Sequence, residues 1–274
     1  MVHRQEIAQH YTHGDLLSSI EKALGQVGKK PADVTLEDLA PVDEFHIGGR
    51  AATEHLLKGV DFSENDYVLD VGCGLGGTAR WIAHSFNCRV AGIDLTPEYV
   101  SAGNSLCAWV NMAHRVVLQE ADALALPFSD ETFSGALMIH AGMNVENKPT
   151  LFREVHRVLK KNVPWAIYDI MRIKPGNLRF PVPWATAKKT SFLRTPEYYQ
   201  AELSRAGFDV ELVNNRHAFA CHFFEKMKEN AASSNAPLGL HILMQENTAA
   251  KMGNMIANLE AGLIAPVEII ARKQ

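Results

Sequence analysis

Short, nearly continuous apolar runs alternate along this chain with longer stretches in which apolar residues recur every three or four positions. The first run, Val68, Leu69 and Val71, has the β-branched and aliphatic character of a strand covered on both faces. Runs over residues 88–94, 116–122, 135–139, 164–170, 208–213 and 267–271 predict further strands. Helical spacing separates them. Ala79, Ile82, Ala83 and Phe86 share one face, a helix is expected over 97–113, and Thr195 with Pro196 opens another that Gly207 stops. Helical patterning also covers 4–27, 217–231 and 240–259. Strand and helix in alternation predict an α/β protein with a mostly parallel sheet and helices on both faces.

The turn after the first run carries the chemistry. Gly72, Gly74 and Gly76 lack a Cβ, so the backbone can turn sharply there and approach a ligand before a helix starts at Thr78. Gly72, Gly74 and Gly77 satisfy the G-x-G-x-x-G dinucleotide fingerprint, which leaves a nicotinamide oxidoreductase open. Asp70 argues the other way, because a carboxylate beside a pyrophosphate is repelled whereas one beside a cationic ligand is welcome. The second and third strands also end in acids, Asp94 and Asp122. Asp94 follows Gly72 by about twenty residues, the offset of a ribose-binding acid in doubly wound sheets. The three carboxylates would then line one edge of the sheet, where such folds bind ligands.

The segments around Asp70–Gly76, Gly92–Leu95 and Glu120–Phe128 resemble the successive motifs of class I S-adenosylmethionine-dependent methyltransferases. The segments at 151–159 and 166–170 also fit, and the resemblance covers roughly residues 45 to 215. It implies a Rossmann-like, seven-stranded sheet and S-adenosyl-L-methionine as cofactor. It puts Asp94 on the ribose, Leu95 against the adenine face, and Asp122 with Ala123 on the adenine edge. Gly72 and the backbone near Ile139 and His140 would hold the methionine part, with Asp70 acting through charge, and Gly74 and Gly76 complete the implied set. Gln9–Thr12 and His46–Thr53 resemble the leader of the phosphoethanolamine and sarcosine/dimethylglycine methyltransferases, and in the phosphoethanolamine group a tyrosine matching Tyr11 closes the site. Two departures stand out: Ser134 replaces a usual Asp, and Asn162 stands in a turn that is usually Pro-Gly-Gly.

The remaining features shape the acceptor side. Residues 1–60 read as a helical leader or lid, and 61–274 as the catalytic domain with cap insertions near 171–194 and 215–262. The pair Gly48 and Gly49 precedes a helix through Leu57, and Thr35 with Asp38 resembles a capping box. Residues 171–194 carry six basic residues and no acid, which would suit a carboxylate or phosphate on the substrate or simply make a solvated loop. His140 and His46 are candidate general bases for an amine that must be neutral when it attacks. Met227, Met244, Met252 and Met255 could form an adaptable wall or pack as ordinary helix positions. The expected function is methyl transfer to a small-molecule amine. Transfer to oxygen or carbon of a phenol or quinone is the first alternative, and a non-catalytic cofactor-binding protein the last.

A net charge of −4 argues against broad nucleic-acid affinity. Cys73, Cys88, Cys107 and Cys221 show no zinc spacing, so no metal is expected, and they read as reduced thiols of a cytoplasmic protein. No apolar run is long enough for a membrane span. A helical cap could also mediate a homodimer.

Overall fold

The structure, a computed structural model, describes residues 2–230, 237–244 and 246–274. The leader folds as α1 (Val2–Tyr11), α2 (Leu16–Gln26), α3 (Leu36–Asp43) and α4 (Gly49–Leu57). The chain continues through β1 (Tyr67–Val71), α5 (Gly77–Phe86), β2 (Arg89–Asp94), α6 (Pro97–Trp109), β3 (Val116–Glu120), β4 (Gly135–Ile139), α7 (Lys148–Val158) and β5 (Pro164–Arg172). It ends with α8 (Pro196–Arg205), β6 (Phe208–Asn215), α9 (His217–Asn230), α10 (His241–Met244), α11 (Thr248–Glu260) and β7 (Ile264–Lys273). The helical stretches expected at 217–231 and 240–259 include Ala231 and Gln245, which lie outside the described residues.

The strands form one seven-stranded sheet in the order β3-β2-β1-β4-β5-β7-β6. Pairing is parallel from β3 to β5, and β7 runs antiparallel to both its neighbours. This is the expected Rossmann-like α/β architecture. Successive strand residues point to opposite faces, so each strand feeds two cores. Val68, Val90 and Leu137 pack with Ala79, Ile82 and Cys107 of α5 and α6 on one face. Leu69, Ala91 and Ala136 pack with Leu151, Phe152, Tyr199 and Leu203 of α7 and α8 on the other. Each buried leucine-sized side chain contributes about 1.5–3 kcal/mol.

Strand order reverses between β2-β1 and β1-β4, and that switch point puts the crevice at the carboxyl ends of β1 and β4. The leader does not stand apart from the sheet. Leu56 and Leu57 of α4 join the core over α5, whereas Leu16, Ile20, Leu24, Leu39 and Val42 of α2 and α3 pack on Tyr99, Ala102 and Leu106 of α6. The Thr35 capping box forms: Thr35 Oγ1 accepts from Asp38 N at 3.3 Å and Asp38 Oδ2 accepts from Thr35 N at 2.9 Å. Helix α6 stops at Trp109, short of the expected 113, because Asn111 takes a left-handed φ of 55° that breaks the helical run. Strands β5 and β7 are longer than expected because they pair over nine positions, from Pro164 with Arg272 to Arg172 with Ile264.

Candidate active site

The turn between β1 and α5 is built by left-handed glycines. Gly72, Gly74 and Gly76 have φ of 75°, 54° and 78°, a region costly for any residue with a Cβ. A Cβ on Gly72 would lie 2.3 Å from the Ala141 Cβ, so the turn and the segment after β4 approach as closely as only glycine permits. Gly74 N donates to Asp94 Oδ2 at 2.9 Å, and Thr96 N donates to Asp94 Oδ1 at 2.9 Å. Asp94 therefore fixes the glycine turn while it faces the cleft. Gly76 departs from the expectation. It lies outside the cleft wall, and a Cβ there would meet Leu118 Cδ1 at 2.7 Å, so its small size serves packing of α5 on the sheet.

A cleft of about 400 Å³ opens over this edge. Asp70, Gly72, Gly74, Asp94, Leu95, Asp122, Ala123 and Ile139 all line it, as do His46, His140 and Tyr11. The carboxyl groups are held in unusual states. Burial, with the nearby Asp94 charge, pushes Asp70 up to about 7, and its Oδ2 is buried without a hydrogen-bond partner. Burial also raises Asp94, against the pull of the Thr96 and Gly74 amides. Asp122 Oδ1 accepts from Leu124 N at 2.9 Å, and its other oxygen pairs with Arg4 of α1. A buried carboxyl at Asp70 with one oxygen unpartnered is what a cationic ligand end would complete, and the Gly72 cradle leaves room for it. The residues present thus fit S-adenosylmethionine.

His140 follows β4 in a left-handed conformation, φ 48°, with its amide bonded to Tyr168 O at 2.8 Å. Its ring stacks on Tyr168 at 5.1 Å and meets the His46 ring edge-on at 5.8 Å. Burial and the neighbouring His46 hold His140 well below the ordinary imidazole range, and its Nε2 is buried without a partner. His46 is also neutral: burial lowers it to about 4. Its Nε2 lies 3.0 Å from Gly49 O, and a carbonyl only accepts, so Nε2 carries the hydrogen. His46 thus spends its one N–H on the backbone, and His140, which lines the cleft, has its buried Nε2 without a partner. Tyr11 donates to Asn144 Oδ1 at 2.9 Å, and Asn144 Nδ2 donates to Trp184 O at 2.8 Å.

Three regions wall the far end of the cleft. The leader supplies Ile7 and Phe45, the 171–194 segment supplies Pro183, Trp184 and Phe192, and the late helices supply Phe223, Phe224, Met227, Met252 and Met255. Three of the four methionines read from the sequence line it, and Met244 does not. None of the six basic residues of 171–194 does either. Lys189 instead pairs with Glu6 of α1 at 2.8 Å, and Arg194 lies over the Tyr198 ring at 5.3 Å. Among the described residues no group of three or more His, Cys, Asp or Glu could hold a metal, and no helix is long and apolar enough to cross a membrane. Asn144 and Glu98 were not legible as site residues. Glu98 caps the leader by accepting from Leu16 N at 2.9 Å, and the only sequence signal was an acid in the first turn of a helix.

Residues 68–162 match the family of methyltransferase domains. The chain is 31% identical over 118 residues to the sterol 4-C-methyltransferase strm-1 of Caenorhabditis elegans, a match over 43% of this chain and 35% of that protein. It is 27% identical over 198 residues to the O-methyltransferase resE of Aspergillus sclerotiorum, covering 69% of this chain and 74% of that one. The chain spans 35% to 51% of the length of several curated relatives that it matches. In fold it is similar to the geranyl diphosphate C-methyltransferase of Streptomyces coelicolor A3(2), a structure solved with S-adenosyl-L-homocysteine, at a TM-score of 0.74 and 17% identity over 100% of this chain and 98% of that one. Residues 68–162 thus match the methyltransferase-domain family, and the sheet that contains them shares the Rossmann-like fold of that solved structure.

Proposed function

We propose that this protein transfers a methyl group from S-adenosylmethionine to an oxygen or carbon of a bulky, largely apolar small molecule. The observation that carries this reading is the cleft lining, where aromatic and methionine side chains are gathered and where, among the described residues, the one lysine or arginine is Arg4, which is paired with Asp122. The sterol and O-methyltransferase relatives support it. The amine reading rests on the leader motif around Tyr11 and His46. An acidic amine would need an anion clamp, and no lysine and no arginine besides Arg4 lines the cleft among the described residues.

When bound, the cofactor supplies a methyl group already activated on a sulfonium centre, so the protein needs positioning more than acid/base strength. Asp70 faces the cationic end and gains its missing partner there. Asp94 and Asp122 receive the nucleoside end, beside Leu95 and Ala123. Tyr11 and the late helices cover the cleft and exclude water. For a hydroxyl acceptor, His140 Nε2 takes the proton as the acceptor attacks, since that nitrogen is neutral, buried and unpartnered. His46 holds its ring edge against His140 and orients it.

Calorimetric titration with S-adenosylmethionine, S-adenosylhomocysteine and NAD tests the first half. A panel of sterols and prenylated phenols, run beside glycine, sarcosine, dimethylglycine and phosphoethanolamine with adenosylhomocysteine as readout, tests the second. Turnover confined to the polar amines would sink the apolar reading, and NAD binding alone would sink both halves.

A further inference from the structure

Behind the cleft wall, and outside it, sits a fully buried ammonium. Lys148 is the first residue of α7 and is 0% exposed. Its Nζ donates to Gly142 O at 3.0 Å, to Val145 O at 2.8 Å and to Phe192 O at 2.7 Å. Among the described residues no carboxylate stands within ion-pair distance of it. The Tyr199 ring lies 5.5 Å away, and Asp169 attracts it from beyond ion-pair distance. Burying an ammonium on carbonyls alone is costly, and a packed methionine would stabilise the fold as well. The three acceptors explain the choice. They come from two segments, the turn after β4 and the strap that leads to α8, and the three hydrogens of an ammonium can reach all of them at once.

That turn is a hub. Phe192 N donates to Met143 O at 2.8 Å. Asn144 donates to Trp184 O and, at 3.4 Å, to Thr190 O, and accepts from Tyr11. The turn therefore holds the strap and the leader helix α1, and Trp184, Phe192 and Tyr11 are three of the walls of the acceptor compartment. We infer that Lys148 is the positioning residue of the acceptor compartment, joining the turn after β4 to the 171–194 strap so that the apolar wall keeps its shape while the cofactor end stands independently. Burial draws Lys148 down to about 8, so at neutral pH it keeps its charge and all three donors. The inference rests on the apolar-acceptor reading above.

The test uses the full chain saturated with S-adenosylhomocysteine, and Nile red, an uncharged apolar dye, as probe. The wild type takes up the dye. Lys148→Met weakens dye binding by about ten-fold, the scale of a lost charge-assisted hydrogen bond, and leaves adenosylhomocysteine affinity within about two-fold. Equal dye binding by Lys148→Met, or a parallel loss of adenosylhomocysteine binding, overturns the assignment. No dye uptake by the wild type overturns instead the apolar compartment on which it rests. Should Lys148→Met not fold, Lys148→Arg decides in the same assay. The charge remains, but a planar fork cannot aim donors at three converging carbonyls, so dye binding falls and adenosylhomocysteine binding does not. Wild-type dye affinity in Lys148→Arg overturns the assignment.

Discussion

On the function proposed above, Asp70 would be a proton-coupled receptor for positive charge. Its carboxyl titrates near 7 because it is buried beside Asp94, so at pH 6 it is mostly protonated in the free protein. A cation placed against it favours the ionised form and drives that proton out. Binding of S-adenosylmethionine at pH 6 should therefore release protons, seen as a dependence of calorimetric heat on buffer ionisation enthalpy, and affinity should weaken as pH falls through 7. Asp70→Asn should abolish the release; an unchanged buffer dependence in that variant would assign the proton elsewhere. His46 acts on stability. Its folded value of about 4 lies below the ordinary 6.5, so below pH 6.5 the unfolded chain binds a proton that the folded one refuses. The stability it contributes is present above 6.5 and lost as pH falls towards 4, about 3 kcal/mol in all. Urea unfolding of wild type and His46→Gln across that range should show their difference shrinking by that order, and a constant difference would mean that His46 takes up its proton in the fold as readily as in the unfolded chain.

Between elements, the seam of α3 with α5 depends on one buried pair. Arg80 Nη2 meets Asp43 Oδ1 at 2.6 Å, the side chains are 0% and 1% exposed, and Arg80 Nη1 also donates to Leu75 O at 2.7 Å. A Cβ on Gly77 would lie 2.4 Å from the Asp43 Cβ, so the leader is seated directly on the start of α5. Asp43→Ala strands a buried guanidinium and should cost about 3–5 kcal/mol in denaturant unfolding, whereas Asp43→Leu with Arg80→Met should recover most of it. A double variant no better than the single one would show that the pair is needed for more than its charge. This seam marks where sequence reasoning ends. The strands were legible because nearly continuous apolar, β-branched runs are local, and Gly72 and Gly74 were legible because a left-handed turn needs glycine whatever surrounds it. Gly76 has the same local signature, yet its neighbour Leu118 lies some forty residues on in the chain, so its packing role was not legible. Asp43, Asn144 and Lys148 gain their meaning only from partners on other elements. The basic run at 171–194 left an anion site and a solvated loop both open, because charge content does not say which way a loop turns its side chains, and its basic residues stand off the cleft. Its apolar Trp184 and Phe192 face inward.

For the molecule as a whole, the site is a sheet edge roofed by chain from both ends. Helix α1 is fastened over it by His10 to Pro183 O at 2.8 Å, Lys189 to Glu6, Arg4 to Asp122 and Tyr11 to Asn144. The first three fastenings involve exposed or half-buried groups and contribute little each. The Tyr11 bond is different. Burial and the charges of Asp94 and Asp169 keep its phenol protonated, so it remains a donor at every working pH, and it ties the roof to the turn that continues β4. Arg4, Ile7 and Tyr11 of α1 line the same cleft as Asp70 and Asp94, so the rate of ligand escape is predicted to follow the strength of that fastening. Losing one neutral hydrogen bond, about 1 kcal/mol, should speed adenosylhomocysteine dissociation from Tyr11→Phe by about five-fold, measured by stopped-flow displacement. Hydrogen exchange in α1 should slow on ligand binding in the wild type and slow less in the variant, while β1 and β4 stay protected in both. Dissociation at the wild-type rate would mean that the ligand leaves without moving α1, and the leader would then be a fixed wall of the cleft instead of its lid.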